Sequence, residues 1–139
     1  MIDREILKIL QSEVIKAVKA SSIPDLSISF VGVHDDNIPP QDQKYLEIVY
    51  IPNNPADQYI GESDKQIYQG LMRLILHWPK DGAGAYDAID AVTSISDHFK
   101  KNVRYGDKVQ VYESPKFLGA IAEQSEMLYS CSIRYRCFH

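Results

Sequence analysis

Apolar residues recur at helical spacing in two separate segments of this 139-residue chain. The first stripe predicts a helix over residues 3–20, and the second predicts a helix over residues 85–101. The two stripes consist of Leu7, Leu10, Val14 and Val18, and of Ala85, Ala88, Ile89, Val92, Ile95 and Phe99. Asp3 can cap the first helix, and lysines near the end of both helices suit the helix dipole.

Five other segments alternate apolar and polar residues with the period of a β-strand. They cover residues 26–31, 45–50, 67–78, 108–112 and 127–138. The third segment carries bulky apolar residues on both faces, which predicts a central position in a sheet. Gly70 in this segment is a candidate β-bulge.

These elements follow one another in the order αβββαββ. Because no βαβ unit repeats, the order predicts a single α+β domain over residues 1–139, with a mostly antiparallel sheet and two helices packed on one face. Residues 113–126 are predicted to form a loop. The connections over residues 33–44 and 52–65 are long and polar for a small domain, which makes them candidate functional segments.

The composition is typical of a globular protein. The formal net charge is −4 and the sequence pI is about 5.5, which argues against broad nucleic-acid binding. No apolar run approaches the roughly 20 residues needed to cross a bilayer, so we expect no membrane partner and folding in the cytoplasm. Cys131 and Cys137 lie too far apart in one predicted strand to form a disulfide, and we expect half-buried, reduced thiols.

The glycine-rich segment before the second helix lacks the residues of a phosphate-binding loop. Lys80 precedes the glycines instead of following them, and Asp87 stands where a dinucleotide-binding fingerprint has its third glycine. A carboxylate at the start of the helix would repel a phosphate. We therefore expect a structural turn in which Gly82 and Gly84 supply backbone freedom.

No arrangement of residues indicates catalysis or a cofactor. The four histidines share no metal-ligand spacing. His34 with Asp35 and Asp36 has the chemistry to hold a divalent ion, but solvated loop residues are the usual interpretation, so we expect no metal. The chain is expected not to be an enzyme. A small ligand-binding or hydrolytic domain and a nucleic-acid-binding domain are the alternatives.

From residue 66 onward, the chain resembles the tail terminator, or tail completion, family of long-tailed bacteriophages, and a phage-related group of uncharacterised domains that shares the same pattern. The residues that carry the resemblance are Tyr68, Gln69 and Gly70, the turn of Pro79, Gly82 and Gly84, Phe99 at a helix end, Ser114 and Pro115 after a strand, and Tyr135 and Arg136 in the last strand. Tyr129 departs from the pattern, which has a tryptophan there.

The resemblance implies an α+β protein that assembles as a closed ring, typically a hexamer, on the end of the tail tube. Such a ring stops tube polymerisation and joins the tail to the head, so the implied partners are further copies of the chain, the tail tube protein and a head-completion protein. It would assemble in the host cytoplasm and end in the virion tail. DNA would pass through the lumen without specific binding, which suits an acidic protein. Another minor tail or head-to-tail connector role is the alternative.

The predicted strands suggest where such contacts would lie. Our hypothesis for the subunit interface is one sheet face bearing Arg73, Ile75, Arg134 and Arg136. The two long connections would reach the lumen or the tail tube through His34, Asp35, Asp36, Asn53, Asn54 and Tyr59.

Overall fold

The computed structural model of the chain describes residues 2–30, 44–52, 67–79, 84–106, 109–123 and 126–138. Within these residues the chain forms two helices and seven strands. In chain order they are α1 (Ile2–Lys19), β1 (Ser27–Phe30), β2 (Tyr45–Pro52), β3 (Ile67–Pro79), α2 (Ala85–Ser96), β4 (Arg104–Tyr105), β5 (Val109–Val111), β6 (Lys116–Ala122) and β7 (Glu126–Phe138).

The sheet is built around one long antiparallel pair. β3 and β7 are both 13 residues long and pair over their whole length, from Ile67 opposite Phe138 to Pro79 opposite Glu126. The strand order is β1-β2-β3-β7-β5-β4, and β6 pairs with the part of β7 that β5 leaves free. The α+β class and the central position of β3 are confirmed. The sheet is mixed, however, because β1 and β2 are parallel.

Alternate residues of the central strands form a core beneath the two helices. Met72, Leu74, Leu76 and Trp78 are all buried on this face, which we call the inner face. In α2, Val92 and Ile95 are fully buried, and the Ser96 hydroxyl lies against the thiol of Cys131 on β7. α1 adds Ile6, Leu10 and Val14 to the same core cluster. Burial of such side chains stabilises the fold by roughly 1.5–3 kcal/mol each.

Several predicted elements need correction. The segment predicted as a loop contains β6, and β4 was not predicted, so the order is αβββαββββ. α2 ends at Ser96 rather than near residue 101, because the chain tightens there into a turn closed by a bond from the Phe99 amide to the Ser96 carbonyl. In α1 it is Ile6 that is buried, whereas Leu7 is half-buried.

Gly70 does not form a β-bulge. It lies in continuous ladders, opposite Pro52 of β2 and Tyr135 of β7. A Cβ at this position would lie 2.7 Å from the carbonyl oxygen of Ile51 and would overlap the Tyr135 hydroxyl. The glycine is therefore required by the close approach of the Tyr135 ring, which also stacks on Tyr50 with 5.6 Å between ring centroids.

Three further predictions concern the cysteines, a membrane span and the number of domains. Cys131 and Cys137 are reduced thiols, as expected, but they are fully buried rather than half-buried. Among the described residues, no helix is long and apolar enough to cross a membrane. The assignment of residues 1–139 to a single domain stays a prediction.

Candidate functional site

The four residues of the interface hypothesis share the sheet face that points away from the helices, which we call the outer face. Arg73 and Ile75 alternate with the buried residues of β3, and Arg134 and Arg136 alternate with those of β7. Arg134 lies opposite Leu71, so it is a diagonal neighbour of Arg73 across the ladder. The register therefore gathers three cations and an apolar residue on one surface.

The three arginines differ in how firmly they are held. The Arg134 Nε lies 3.4 Å from Glu113 Oε2, and this pair is too exposed to contribute more than about 1 kcal/mol. The Arg136 Nε donates to Gln110 Oε1 at 3.0 Å, and its guanidinium lies 5.5 Å from the centre of the Tyr112 ring. The Arg73 Nε is buried and has no hydrogen-bond partner among the described residues. Arg134, with 46% of its side chain exposed, is thus well placed to meet a partner.

A second group on the outer face is a buried histidine between two carboxylates. His77 of β3 is only 6% exposed. Its Nδ1 lies 2.9 Å from Glu126 Oε1 on β7, and its Nε2 lies 3.1 Å from Glu47 Oε1 on β2. The Tyr45 ring stacks on the imidazole with 4.0 Å between centroids. The cluster therefore ties three adjacent strands together.

The carboxylates control the protonation of this cluster. Burial alone would lower the pKa of His77, but the hydrogen bonds that its ring donates to Glu47 and Glu126 outweigh burial and raise the pKa above its ordinary value. In the protonated form both ring nitrogens donate, one to each carboxylate. Burial, reinforced by the same two carboxylates, raises the pKa of Tyr45. This cluster was not predicted from the sequence, because it depends on the register of three strands.

The strand β6 presents an exposed apolar edge. None of its residues is buried, and its exposed large side chains are Phe117 at 43%, Leu118 at 51% and Ile121 at 58%. Within the described part of the chain, β6 pairs only with β7, and a bulge lies between Phe117 and Gly119. An edge strand with an exposed apolar surface is a site for association with another strand or protein, although the bulge limits regular pairing.

The helix α2 presents a different kind of surface. Tyr86 is 84% exposed, and Asp87 and Asp90 are also exposed. Gly84 precedes the helix with φ of 124°, a conformation that favours glycine, so the expected turn function of this residue is supported. Gly82 lies outside the described residues. Asp87 brings a negative charge to the start of the helix, where a phosphate would otherwise be favoured.

Six of the remaining candidate residues fall in the two long connections. His34, Asp35, Asp36, Asn53, Asn54 and Tyr59 all lie outside the described residues. Across the segments that are described, no group of three or more His, Cys, Asp and Glu side chains could hold a metal ion. A surface cavity of about 380 Å³ near β1 is lined by the polar side chains of Ser22, Asp25 and Lys44, among others. The described lining contains no histidine that could activate a nucleophile.

Comparisons with known proteins agree with the resemblance in the sequence. The family model described as phage tail terminator protein matches residues 5–135, nearly the whole chain. One solved structure, of a protein without a functional name, has a TM-score of 0.74 at 17% identity and covers 95% of this chain and 92% of its own. A second, from the virion of a native gene transfer agent particle, has a TM-score of 0.57 at 14% identity, covering 96% and 97%.

These two solved structures support the fold, and the family model identifies the family. No curated protein sequence matches the chain significantly. The matched family is one of structural tail proteins rather than enzymes. The chain therefore belongs to the phage tail terminator family and is a structural protein of the bacteriophage virion tail.

Proposed function

We propose that this protein forms a closed ring, a hexamer, that caps the end of the tail tube, stops tube polymerisation and joins the tail to the head. The observation that carries the proposal is the match of the tail terminator family model to residues 5–135. The proposed partners are further copies of the chain, the tail tube protein and a head-completion protein. Assembly would take place in the host cytoplasm before the ring becomes part of the virion tail.

The surface of the molecule supports such a role. A cyclic ring needs two different patches on each subunit, joined head to tail. The outer face offers one patch that combines cations with half-buried apolar side chains, a composition found at protein interfaces. The net charge of −4 is compatible with a lumen through which DNA slides without being retained.

The proposed subunit contact includes Arg73, Ile75, Arg134 and Arg136, and the proposed contact with the lumen or tube comes from residues 33–44 and 52–65. The Arg134→Glu substitution should reduce both ring assembly and phage infectivity. Deletion within residues 53–63 should impair joining of the tail to the head. Unchanged infectivity in either variant would remove the corresponding surface from the proposal.

The location of the protein in the particle tests the function directly. A virion that carries an epitope-tagged copy should bind gold-labelled antibody at the head-proximal end of the tail in electron micrographs. Isolated tails that have not yet joined heads should carry the label at the same end. Label at the distal tip, or only on heads, would favour another minor tail or head-to-tail connector role.

A further inference from the structure

The surfaces on the two sides of the subunit differ in charge. The helices cover the inner face of the sheet, so the outer face and the solvent side of α2 point in opposite directions. Around Leu71 and Ile75 the outer face carries the cations Arg73 and Arg134. Its carboxylates are held elsewhere, Glu47 and Glu126 by His77 and Glu113 by Arg134, whereas the solvent side of α2 carries the carboxylates of Asp87 and Asp90. A head-to-tail contact between copies brings such opposed patches together at every interface.

The exposed side of α2 has the features of an interface anchor. Ala88, Val92 and Ile95 are fully buried, and at 3.6 residues per turn Tyr86 and Asp90 point away from them. Tyr86 is 84% exposed, an unusual position for a large aromatic side chain. No ion pair is found for Asp87 or Asp90 within the described segments. The helix thus combines one aromatic side chain with two available negative charges.

The outer face provides the complementary features. Leu71 and Ile75 are half-buried and give an apolar area beside Arg73 and Arg134. Arg134 has only a weak, exposed partner in Glu113. An aromatic side chain flanked by carboxylates can bury its ring on such an area while its neighbours approach the guanidinium groups. The charges of the two surfaces are therefore opposite, and their apolar parts match.

We propose that the outer face binds a second copy of this chain, which docks the exposed side of its α2 there. The contact joins Tyr86, Asp87 and Asp90 of one copy to the surface formed by Leu71, Arg73, Ile75 and Arg134 of the other. This proposal rests on the proposed function, in which the protein forms a ring. It names the exposed side of α2 as the second of the two patches that each subunit of the ring needs. Each subunit uses its α2 on one neighbour and its outer face on the other. The contact is heterologous, so it repeats around the ring.

Charge reversal of each surface tests the contact. Asp90→Arg and Arg134→Glu, each alone, should raise the protein concentration for half-assembly by about tenfold or more in native mass spectrometry and sedimentation velocity. An equimolar mixture of the two variants should assemble again, because each reversed charge then meets the reversed charge of the other chain. Tyr86→Ala should weaken assembly without changing the melting temperature of the monomer, since the Tyr86 side chain is exposed.

Two control variants and a measurement of folding accompany this test. Asp25→Arg and Lys19→Glu reverse exposed charges outside both surfaces and should assemble like the unchanged protein. Circular dichroism should show that each variant is folded, so that lost assembly reflects the contact.

The possible results separate the contact from the ring itself. If the unchanged protein is a monomer at every concentration, both the self-assembling ring and the contact are refuted. If the unchanged protein and both charge variants form the same ring, the contact is refuted while the ring stands. In that case, loss of the ring in Ile121→Lys would assign the subunit contact to the β6 edge. Lost assembly in the single variants without recovery in their mixture would also contradict the α2 contact.

Discussion

Replacing His77 with glutamine should destabilise the protein strongly at acidic pH and less at alkaline pH. The histidine is the cation between Glu47 and Glu126, and the pair with Glu126 is almost fully buried, with side chains 8% and 9% exposed. Removing one member of a buried charged pair typically costs about 3–5 kcal/mol, because the other charge stays buried without compensation. That loss is a large part of the free energy of unfolding of a typical domain, which is roughly 5–15 kcal/mol.

The sign of the pH dependence follows from the raised pKa of His77. The stabilisation from the protonated form is fully present below the ordinary value of 6.5 and is lost as the pH rises through the raised folded-state pKa. Above that pH the neutral imidazole can donate to only one carboxylate. The difference in free energy of unfolding between the unchanged protein and His77→Gln should therefore shrink as the pH rises.

Urea unfolding followed by circular dichroism, at several pH values between about 5.5 and 8.5, measures this difference. At the acidic end, His77→Gln should also lower the melting temperature by roughly 10–20 °C for a chain of this size. His98→Gln is the matched control, because His98 binds one carboxylate, Glu13 Oε2 at 2.9 Å, and is 28% exposed. His98→Gln should therefore lower the free energy of unfolding by less than His77→Gln does. A difference for His77→Gln that is independent of pH, or that grows as the pH rises, would show that His77 does not act as the cation between Glu47 and Glu126.

Three further predictions concern packing and exposure. Gly70→Ala should lower the free energy of unfolding by about 1–3 kcal/mol in urea titrations, because its Cβ would meet the Ile51 carbonyl oxygen and the Tyr135 hydroxyl; unchanged stability would contradict this packing. Ile121→Lys should change stability by less than about 0.5 kcal/mol and reduce light scattering from aggregates, since Ile121 is 58% exposed on an edge strand. Cys131 and Cys137 should react with a thiol reagent only as fast as the protein opens, because both are buried and burial raises the pKa of Cys131; immediate reaction of the native protein would contradict their burial.

The sequence predicted the elements whose two sides differ in burial. The alternation in β3 separated Met72 and Leu74 from Arg73 and Ile75, so the composition of the outer face was visible without a structure. The helical stripe in α2 similarly identified Val92 and Ile95 as core residues. In both elements, a buried side facing a solvated side leaves a periodic pattern.

Elements without such a contrast were missed. β6 is exposed on both faces, so apolar and polar residues do not alternate along it, and residues 113–126 were predicted to form a loop. The parallel pairing of β1 with β2 and the cluster around His77 depend on strand register, which one sequence does not reveal. The exposure of Tyr86 follows from the helix geometry, but the outer face proposed as its partner surface is formed only when the strands pair in the folded subunit.

Growth of the tail tube in the presence of this protein is the most direct test of the tail terminator function. Cognate tail tube protein is polymerised with increasing amounts of the chain, and tube lengths are measured by electron microscopy. Elongation should stop when each growing end has received one ring, at a ratio of six chains per tube end, and capped ends should carry a ring. Tubes that grow to the same length at every ratio, with no ring at their ends, would contradict the assignment as a tail terminator.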